Sequence, residues 1–404
     1  MNVAYILDKF PSRTETFAIK EISSLSEWGI RVSVFAAASE PEYNSCSGKT
    51  NIFYKPLLFS ANYFTSIWYL LKKRPLALIK LGILICRLMI MCPREAIMMM
   101  GNIHTIGFFA KHIDRQAISH IHAYFLSWPA CIGMATALVA QKEFSISAHA
   151  RDIFVEKGAA NIKASHAKFI RTCTEQGLRY LKTVLLPKYH HKLQLNYHGV
   201  NTTAKNVGGS VGMDQESKFD STIIAVGRFV KKKGFTFLIK AFEQVLREIP
   251  KSRLMLVGDG PEQKIIRRLA EQTDIVKHVE FAGWQRHKTV IQLVQKATVL
   301  VMPSIIADDG DRDGVPNVIL EAFSMCVPVV ASNLEGIAEA VKNEQTGLLI
   351  SPGNTKELAC AIIRLLNDKY LRTQLSQDAY NILIQRFDSA KNTRQLAGLF
   401  RKDN

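Results

Sequence analysis

Four short stretches of this chain carry residue types at spacings that can do chemistry. The first is Gly227-Arg228-Phe229-Val230-Lys231-Lys232-Lys233-Gly234, between the strand-like run Thr222–Val226 and a helical pattern opening near Phe235. A helix N-terminus presents unpaired N–H groups and the positive end of the helix dipole, which suits a phosphate. Arg228 and Lys233 add two cations, so Gly227 to Gly234 can hold a diphosphate and stabilise charge developing on it. The plainer reading is a solvated basic turn.

The second stretch, Val257-Gly258-Asp259-Gly260-Pro261-Glu262, is again a strand end, a glycine turn and a helix start. A dinucleotide fingerprint needs a third glycine, and Gln263 stands there, which weakens a nicotinamide or flavin reading. Gly258 and Gly260 remain suited to close backbone approach to a nucleotide, or to an ordinary tight turn.

The third runs from Ser304 to Ala322 and places Asp313, Gly314, Val315, Pro316 and Asn317 ahead of Glu321. Pro316 fits a first helical turn, with Asp313 in the loop before it and Glu321 about a turn and a half inside. Two such carboxylates can accept hydrogen bonds from sugar and ribose hydroxyls; otherwise this is an acidic loop ahead of an ordinary helix. Asp309, Asp311, Asp313 and Gly314 also match the first half of a calcium-binding loop. Its twelfth position is Leu320, with Glu321 one residue late, so no metal is expected. The fourth stretch, Ser147 to Phe154, sets His149 just after a strand, where a lone histidine is more often structural.

These stretches need elements to position them. Strand-like runs at residues 2–7, 30–35, 119–125, 144–148 and 168–172 alternate with helical patterns, and five more follow at 222–226, 253–257, 278–282, 298–302 and 327–331. That rhythm predicts an α/β chain with two doubly wound parallel sheets. Ligands of such sheets bind at the carboxyl ends of the strands, where all four stretches lie. Residues 204–219 hold Gly208, Gly209, Ser210 and Gly212 without an apolar period and read as a linker. The division is then 1–203, the linker 204–219, and 220–387, with a last helix from 388 that can pack back on the first domain.

With 404 residues, 48% hydrophobic and 22% charged, the chain has enough apolar material for two cores. The net charge of +17 favours anionic partners, namely phosphorylated ligands or an anionic membrane face. No zinc-finger spacing or basic run interleaved with aromatics supports a nucleic-acid partner. Seven scattered cysteines without a CxxC pair read as reduced core residues of a cytoplasmic protein, and the first ten residues do not read as a signal peptide. Residues 62–100 are strongly apolar yet interrupted by Lys72, Lys73, Arg74, Lys80, Arg87 and Arg94, so no spanning helix is expected. Residues 55–115 hold nine basic and two acidic residues, which fits either a surface lying on an anionic membrane or ordinary domain helices with snorkelling side chains.

Taken together, these segments resemble glycosyltransferase family 4, retaining enzymes of the GT-B fold, best over residues 222–350. Tyr5-Ile6-Leu7, Phe10-Pro11, Glu15-Thr16-Phe17, His120-Ile121-His122-Ala123, His149-Ala150-Arg151-Asp152 and Tyr197-His198-Gly199-Val200 look like the subgroup that builds bacterial exopolysaccharide and lipopolysaccharide, including colanic acid glycosyltransferases. The resemblance implies two Rossmann-like domains facing a central cleft. It implies that Arg228 and Lys233 bind the donor diphosphate, that His149 and the Asp313 position address the donor sugar, and that Glu321 holds the ribose. Asp313 stands where the family's motif has Glu, one methylene longer. Val327-Pro328-Val329-Val330-Ala331 and Glu335-Gly336-Ile337 match the segment whose backbone contacts phosphate.

The implied activity is transfer of a sugar from a UDP- or GDP-linked donor to a growing, lipid-linked oligosaccharide, with retention and without a required metal or cofactor. It would take place in the cytoplasm or on the inner membrane face. Two alternatives share the architecture: a nucleotide-sugar epimerase, and a sugar-nucleotide-binding protein with impaired catalysis.

Overall fold

Val3 to Leu7 are buried without interruption, as a parallel strand covered on both faces requires. In the computed structural model, which describes residues 1–12, 16–40, 50–201, 221–273 and 275–402, this strand is β1 (Asn2–Lys9). With it run β2 (Arg31–Ala38), β3 (Ile52–Tyr54), β4 (His120–Tyr124), β5 (Glu143–Ala148), β6 (Ile170–Thr172) and β7 (Leu193–Leu195). Their order is β3-β2-β1-β4-β5-β6-β7, all neighbours parallel. The expected linker 204–219, Glu15 and Cys46 lie outside the described residues.

One face of this first sheet carries helix Trp128–Ala140, which is apolar all round. Such a helix is stable only when enclosed, and a second layer encloses it: helices Pro75–Met91, Pro93–Gly101 and Ile103–Arg115 pack over it, and Ala61–Lys73 packs on Ile103–Arg115. A buried ion pair ties this outer layer down. Lys163 Nζ lies 2.9 Å from Glu95 Oε1 and donates to the carbonyls of Leu126 (2.8 Å) and Gly158 (2.7 Å). The opposite face is covered by helices Thr16–Glu27 and Ser389–Arg401, whose Leu396, Ala397 and Phe400 share a core with Tyr5 and Leu7.

The second sheet comprises β8 (Thr222–Val226), β9 (Arg253–Val257), β10 (Val279–Gly283), β11 (Val299–Met302), β12 (Val329–Ser332) and β13 (Leu348–Ile350), in the order β10-β9-β8-β11-β12-β13. All neighbours are parallel. Helices Phe235–Glu248 and Thr355–Asn367 fill one core; His287–Lys296, Asn317–Ser324 and Lys369–Arg386 contribute to the other. Both sheets reverse direction of growth once, between β1 and β4 and between β8 and β11.

The chain divides into one unit of residues 1–196 with 390–404 and a second of 197–389. The first boundary therefore falls ahead of residue 203. Residues 197–200 join the second unit because Tyr197 donates to Glu339 Oε2 at 2.9 Å and Val200 bridges Asp388. Three strands, β3, β7 and β13, were not expected from the sequence; each is three residues long and stands at a sheet edge.

Candidate functional site

Three loops at the carboxyl ends of β8, β9 and β11 are joined through their main chains. After β8, Phe229 donates to the carbonyl of Asp259 at 2.6 Å, and Glu262 donates back to Phe229 at 3.0 Å. On the other side, Ile305 donates to the carbonyl of Lys232 at 2.8 Å. Glycine makes this approach possible. A Cβ on Gly258 (φ +137°) would lie 2.0 Å from the carbonyl oxygen of Gly227, and one on Gly234 (φ +66°) would lie 1.9 Å from that of Pro303. Gly260 likewise abuts the Phe229 backbone. Gly227, Gly258 and Gly260 are thus brought together by packing, with the β8–β11 switch point beside them, where ligands of open α/β sheets bind.

Across that switch point three consecutive lysines face three aspartates. Lys231 Nζ pairs with Asp308 at 2.6 Å on the exposed rim. Further in, Lys232 Nζ reaches Asp311 Oδ1 at 2.9 Å and Asp313 Oδ1 at 3.8 Å, and Lys233 Nζ reaches Asp313 Oδ2 at 2.8 Å. Ser304 Oγ donates to the same Asp313 oxygen at 2.7 Å. Burial alone would raise the Asp313 carboxyl, but the charges of Lys233 and Lys232 and the hydrogen bonds of Lys233 and Ser304 hold it below the usual carboxylate range. The Lys233 stem passes over Gly227, its Cε 3.3 Å from where a Cβ would stand.

The acidic loop that matched half a calcium site is therefore faced by the chain's own cations, while Asp309 Oδ1 accepts from the Asp311 N–H at 3.0 Å. Arg228 is exposed beside this cluster, with no carboxylate in ion-pair range among the described residues. In the sequence Lys232 and Ser304 were only members of their stretches, and Asp311 only part of the half calcium motif; none was given a role at a phosphate or sugar. The signal was present as charge complementarity between the lysine run and the aspartate run, separated by some seventy positions of unrelated structure.

Glu321 is buried in helix Asn317–Ser324, which starts one residue later than expected, with Pro316 as its cap. Its Oε1 lies 2.7 Å from His287 Nε2. His287 opens helix His287–Lys296 after β10, and no sequence motif marked it. Gly314, Val315, Pro316 and Asn317 lie half-buried between the two carboxylates in sequence, leading into the helix whose first turn leaves N–H groups for a ligand.

In the first unit, His149 caps helix Ala150–Phe154 at the end of β5. Its ring lies 5.0 Å from Tyr124, 4.7 Å from Phe125 and 5.5 Å from Phe17, centroid to centroid. Burial, with a smaller contribution from the Arg171 charge, lowers its pKa to about 3, so the imidazole is neutral at pH 7. Asp152 Oδ1 accepts from the His149 N–H at 2.7 Å, its other oxygen accepts from Leu126, and burial pushes its pKa up to about 7. Beneath them His120 Nε2 and His122 Nδ1 share Ser145 Oγ at 2.6 and 2.7 Å, and His122 Nε2 reaches Ser147 Oγ at 2.7 Å. Arg171 is buried against Glu21 at 2.6 Å, and Tyr5 also donates to Glu21 at 2.8 Å. Glu21 and Arg171 were not anticipated, since single charges in otherwise ordinary segments give no periodic signal.

Residues 214–382 match the family described as Glycosyl transferases group 1. The lipopolysaccharide core biosynthesis glycosyltransferase LpsD of Rhizobium meliloti (strain 1021) is 32% identical over 178 residues, 44% of this chain and 48% of that protein. The putative colanic acid biosynthesis glycosyltransferase WcaL of Escherichia coli (strain K12) is 32% identical over 137 residues, 34% of each. The matched region spans about half the length, or less, of these curated relatives. Among solved structures, Anabaena Alr3699/HepE in complex with UDP superposes with a TM-score of 0.70 at 18% identity, covering 99% of both chains. The lipopolysaccharide outer core galactosyltransferase WaaB in apo form gives 0.65 at 13%, also covering 99% of both. The fold is GT-B, with two parallel-sheet α/β units.

Proposed function

We propose that this chain, whose second unit carries a glycosyl transferases group 1 domain, transfers a sugar from a nucleotide-sugar to a growing, lipid-linked oligosaccharide of a bacterial surface polysaccharide. The observation that carries this reading is the Lys233–Asp313 pair over Gly227 at the switch point of the second sheet. A nucleoside diphosphate brings negative charge to a place where one ammonium is already positioned and Arg228 stands exposed alongside. UDP in the complex with Anabaena Alr3699/HepE supports a donor of this class.

In this reading Arg228 and Lys233 hold the diphosphate while the turns at Gly227, Gly258 and Gly260 let its oxygens approach backbone. Glu321, oriented by His287, takes the ribose hydroxyls. Asp313 exchanges Lys233 for the sugar hydroxyls, and Gly314, Val315, Pro316 and Asn317 supply the backbone around them. His149 is a neutral hydrogen-bonding group toward the sugar. The bond from the anomeric carbon to the diphosphate oxygen breaks, the acceptor oxygen forms its bond on the same face, and the acceptor's proton passes to the departing phosphate oxygen. Configuration is retained, and no step calls on a metal or cofactor. The acceptor reaches the enzyme at the inner face of the cytoplasmic membrane.

A thermal-shift panel with UDP, GDP, ADP and NAD tests the reading. One nucleoside diphosphate at about 100 times its dissociation constant should add ~2.7 kcal/mol of stability and so identify the donor's base. A response to NAD alone would contradict a transferase.

A further inference from the structure

The outer helical layer of the first unit leaves an apolar stripe uncovered. Along helix Pro75–Met91, Leu76, Ile79, Ile83 and Ile90 are exposed, Leu76 to 74% and Ile90 to 86%. At about 100° per residue they fall within a sector of roughly 60°, bordered on one side by exposed Lys80 and Arg87. The preceding helix, Ala61–Lys73, repeats the pattern with Phe64 and Trp68 exposed at i and i+4. Lys72 Nζ sits 5.5 Å from the Trp68 ring centroid. This is the pairing of an amphipathic ring and a snorkelling cation suited to a lipid headgroup zone.

Charge selects the occupant. The two acidic residues between 55 and 115, Glu95 and Asp114, are each held by an internal cation, Lys163 at 2.9 Å and Arg74 at 2.7 Å. The exposed charges at positions 72, 73, 80, 87 and 94 are therefore all positive. A second copy of the chain would bring the same cationic face against itself. Among the described residues no helix is long and apolar enough to cross a membrane, so such a face lies on a bilayer rather than in it.

We infer that the surface formed by helices Ala61–Lys73 and Pro75–Met91 docks on a bilayer containing anionic lipid, inserting the Leu76–Ile79–Ile83–Ile90 stripe with Lys80 and Arg87 at the headgroups. The inference deepens the acceptor reading above and stands on the surface alone. Apolar burial supplies the binding and anionic headgroups select the membrane.

The test is flotation of the full chain with phosphatidylcholine vesicles, with and without one-third phosphatidylglycerol. Wild type should float with the anionic vesicles and be released by salt. Lys80→Gln and Arg87→Gln should each lower partitioning roughly fivefold. Ile83→Asp with Ile90→Asp should abolish it, and Ile83→Ser with Ile90→Ser should weaken it, both with unchanged melting temperature because the side chains are exposed. Wild type remaining unbound to both vesicle types, or the aspartate variant floating undiminished, would overturn the inference. So would a wild-type dimer in light scattering that the aspartates dissociate. Nucleoside diphosphate binding measured on the same samples separates the two readings: its loss counts against the transferase, not against the membrane surface.

Discussion

Lys233 Nζ stands 2.8 Å from Asp313 Oδ2, joining residues 80 positions apart across the switch point of the second sheet. In this pairing the cation proposed for the donor's diphosphate is held by the carboxylate proposed for the donor's sugar. Donor binding then exchanges partners on both. Asp313→Asn should therefore tighten nucleoside diphosphate binding, because Lys233 loses its anionic competitor, while turnover falls by an order of magnitude or more. Titration of the diphosphate beside steady-state kinetics checks this. Weaker binding with unchanged turnover would mean that Asp313 only orients Lys233.

Glu321 and His287 form the second polar pair of the site, 2.7 Å apart. Glu321→Ala should weaken nucleoside diphosphate binding by ~1–3 kcal/mol if the carboxylate bonds the ribose. His287→Ala should weaken it less, and little further once Glu321 is gone, because the histidine acts through the carboxylate. Additive losses in the double-mutant cycle would give His287 an independent contact.

Glycine substitutions separate packing from flexibility. Gly258→Ala forces a Cβ to within 2.0 Å of the Gly227 carbonyl oxygen at a positive φ and should cost about 2–4 kcal/mol. Gly82, inside helix Pro75–Met91, has nothing within 4 Å of its Cβ position, so Gly82→Ala should stabilise by about 0.5–1 kcal/mol. Denaturant unfolding of both variants measures the contrast.

Acid should weaken the first unit. His120 and His149 have pKa values lowered by burial to about 4 and about 3, and that of His122 lies well below its ordinary value. A histidine depressed in the folded state is stabilising above its unfolded pKa, near 6.5, and this contribution is lost as pH falls toward the folded value. Asp152, raised to about 7, works the other way over the same window, since only the folded state holds its proton there. His104 and His112, also lowered by burial, act in the same direction as the three, so the histidines outweigh Asp152. Stability should therefore fall as pH drops from about 6 to about 4, by at least roughly 1 kcal/mol per pH unit. Melting curves across that window check it, and His122→Gln should lessen the slope. A flat profile would place these imidazoles in contact with water.

The two parallel sheets were legible because their central strands, such as β1, β8 and β11, are near-continuous apolar runs followed by helical periods. β3, β7 and β13 were not, since three residues cannot establish a period and an edge strand is specified by its neighbour's backbone. The turns around Gly227, Gly258 and Pro316 could be read from local chemistry. Lys232–Asp311, Glu321–His287 and Arg171–Glu21 could not, because each partner is chosen by the sheet order, which brings distant loops together. In the apolar basic segment at 62–100 the sequence could not say which side chains are buried, as Leu81 and Leu88 are, and which face outward, as Ile83 and Ile90 do, because that depends on which neighbours the helices pack against.

If Lys233 holds the donor's diphosphate, removing its ammonium must weaken nucleoside diphosphate binding. Calorimetric titration of UDP and of GDP into wild type and into Lys233→Ala measures this, with unfolding curves as the control for folding. Wild type should bind one of the two, and the variant, equally folded, should bind it at least tenfold more weakly. Equal affinity in the two proteins would contradict this role of Lys233 and move the diphosphate away from the β8 loop.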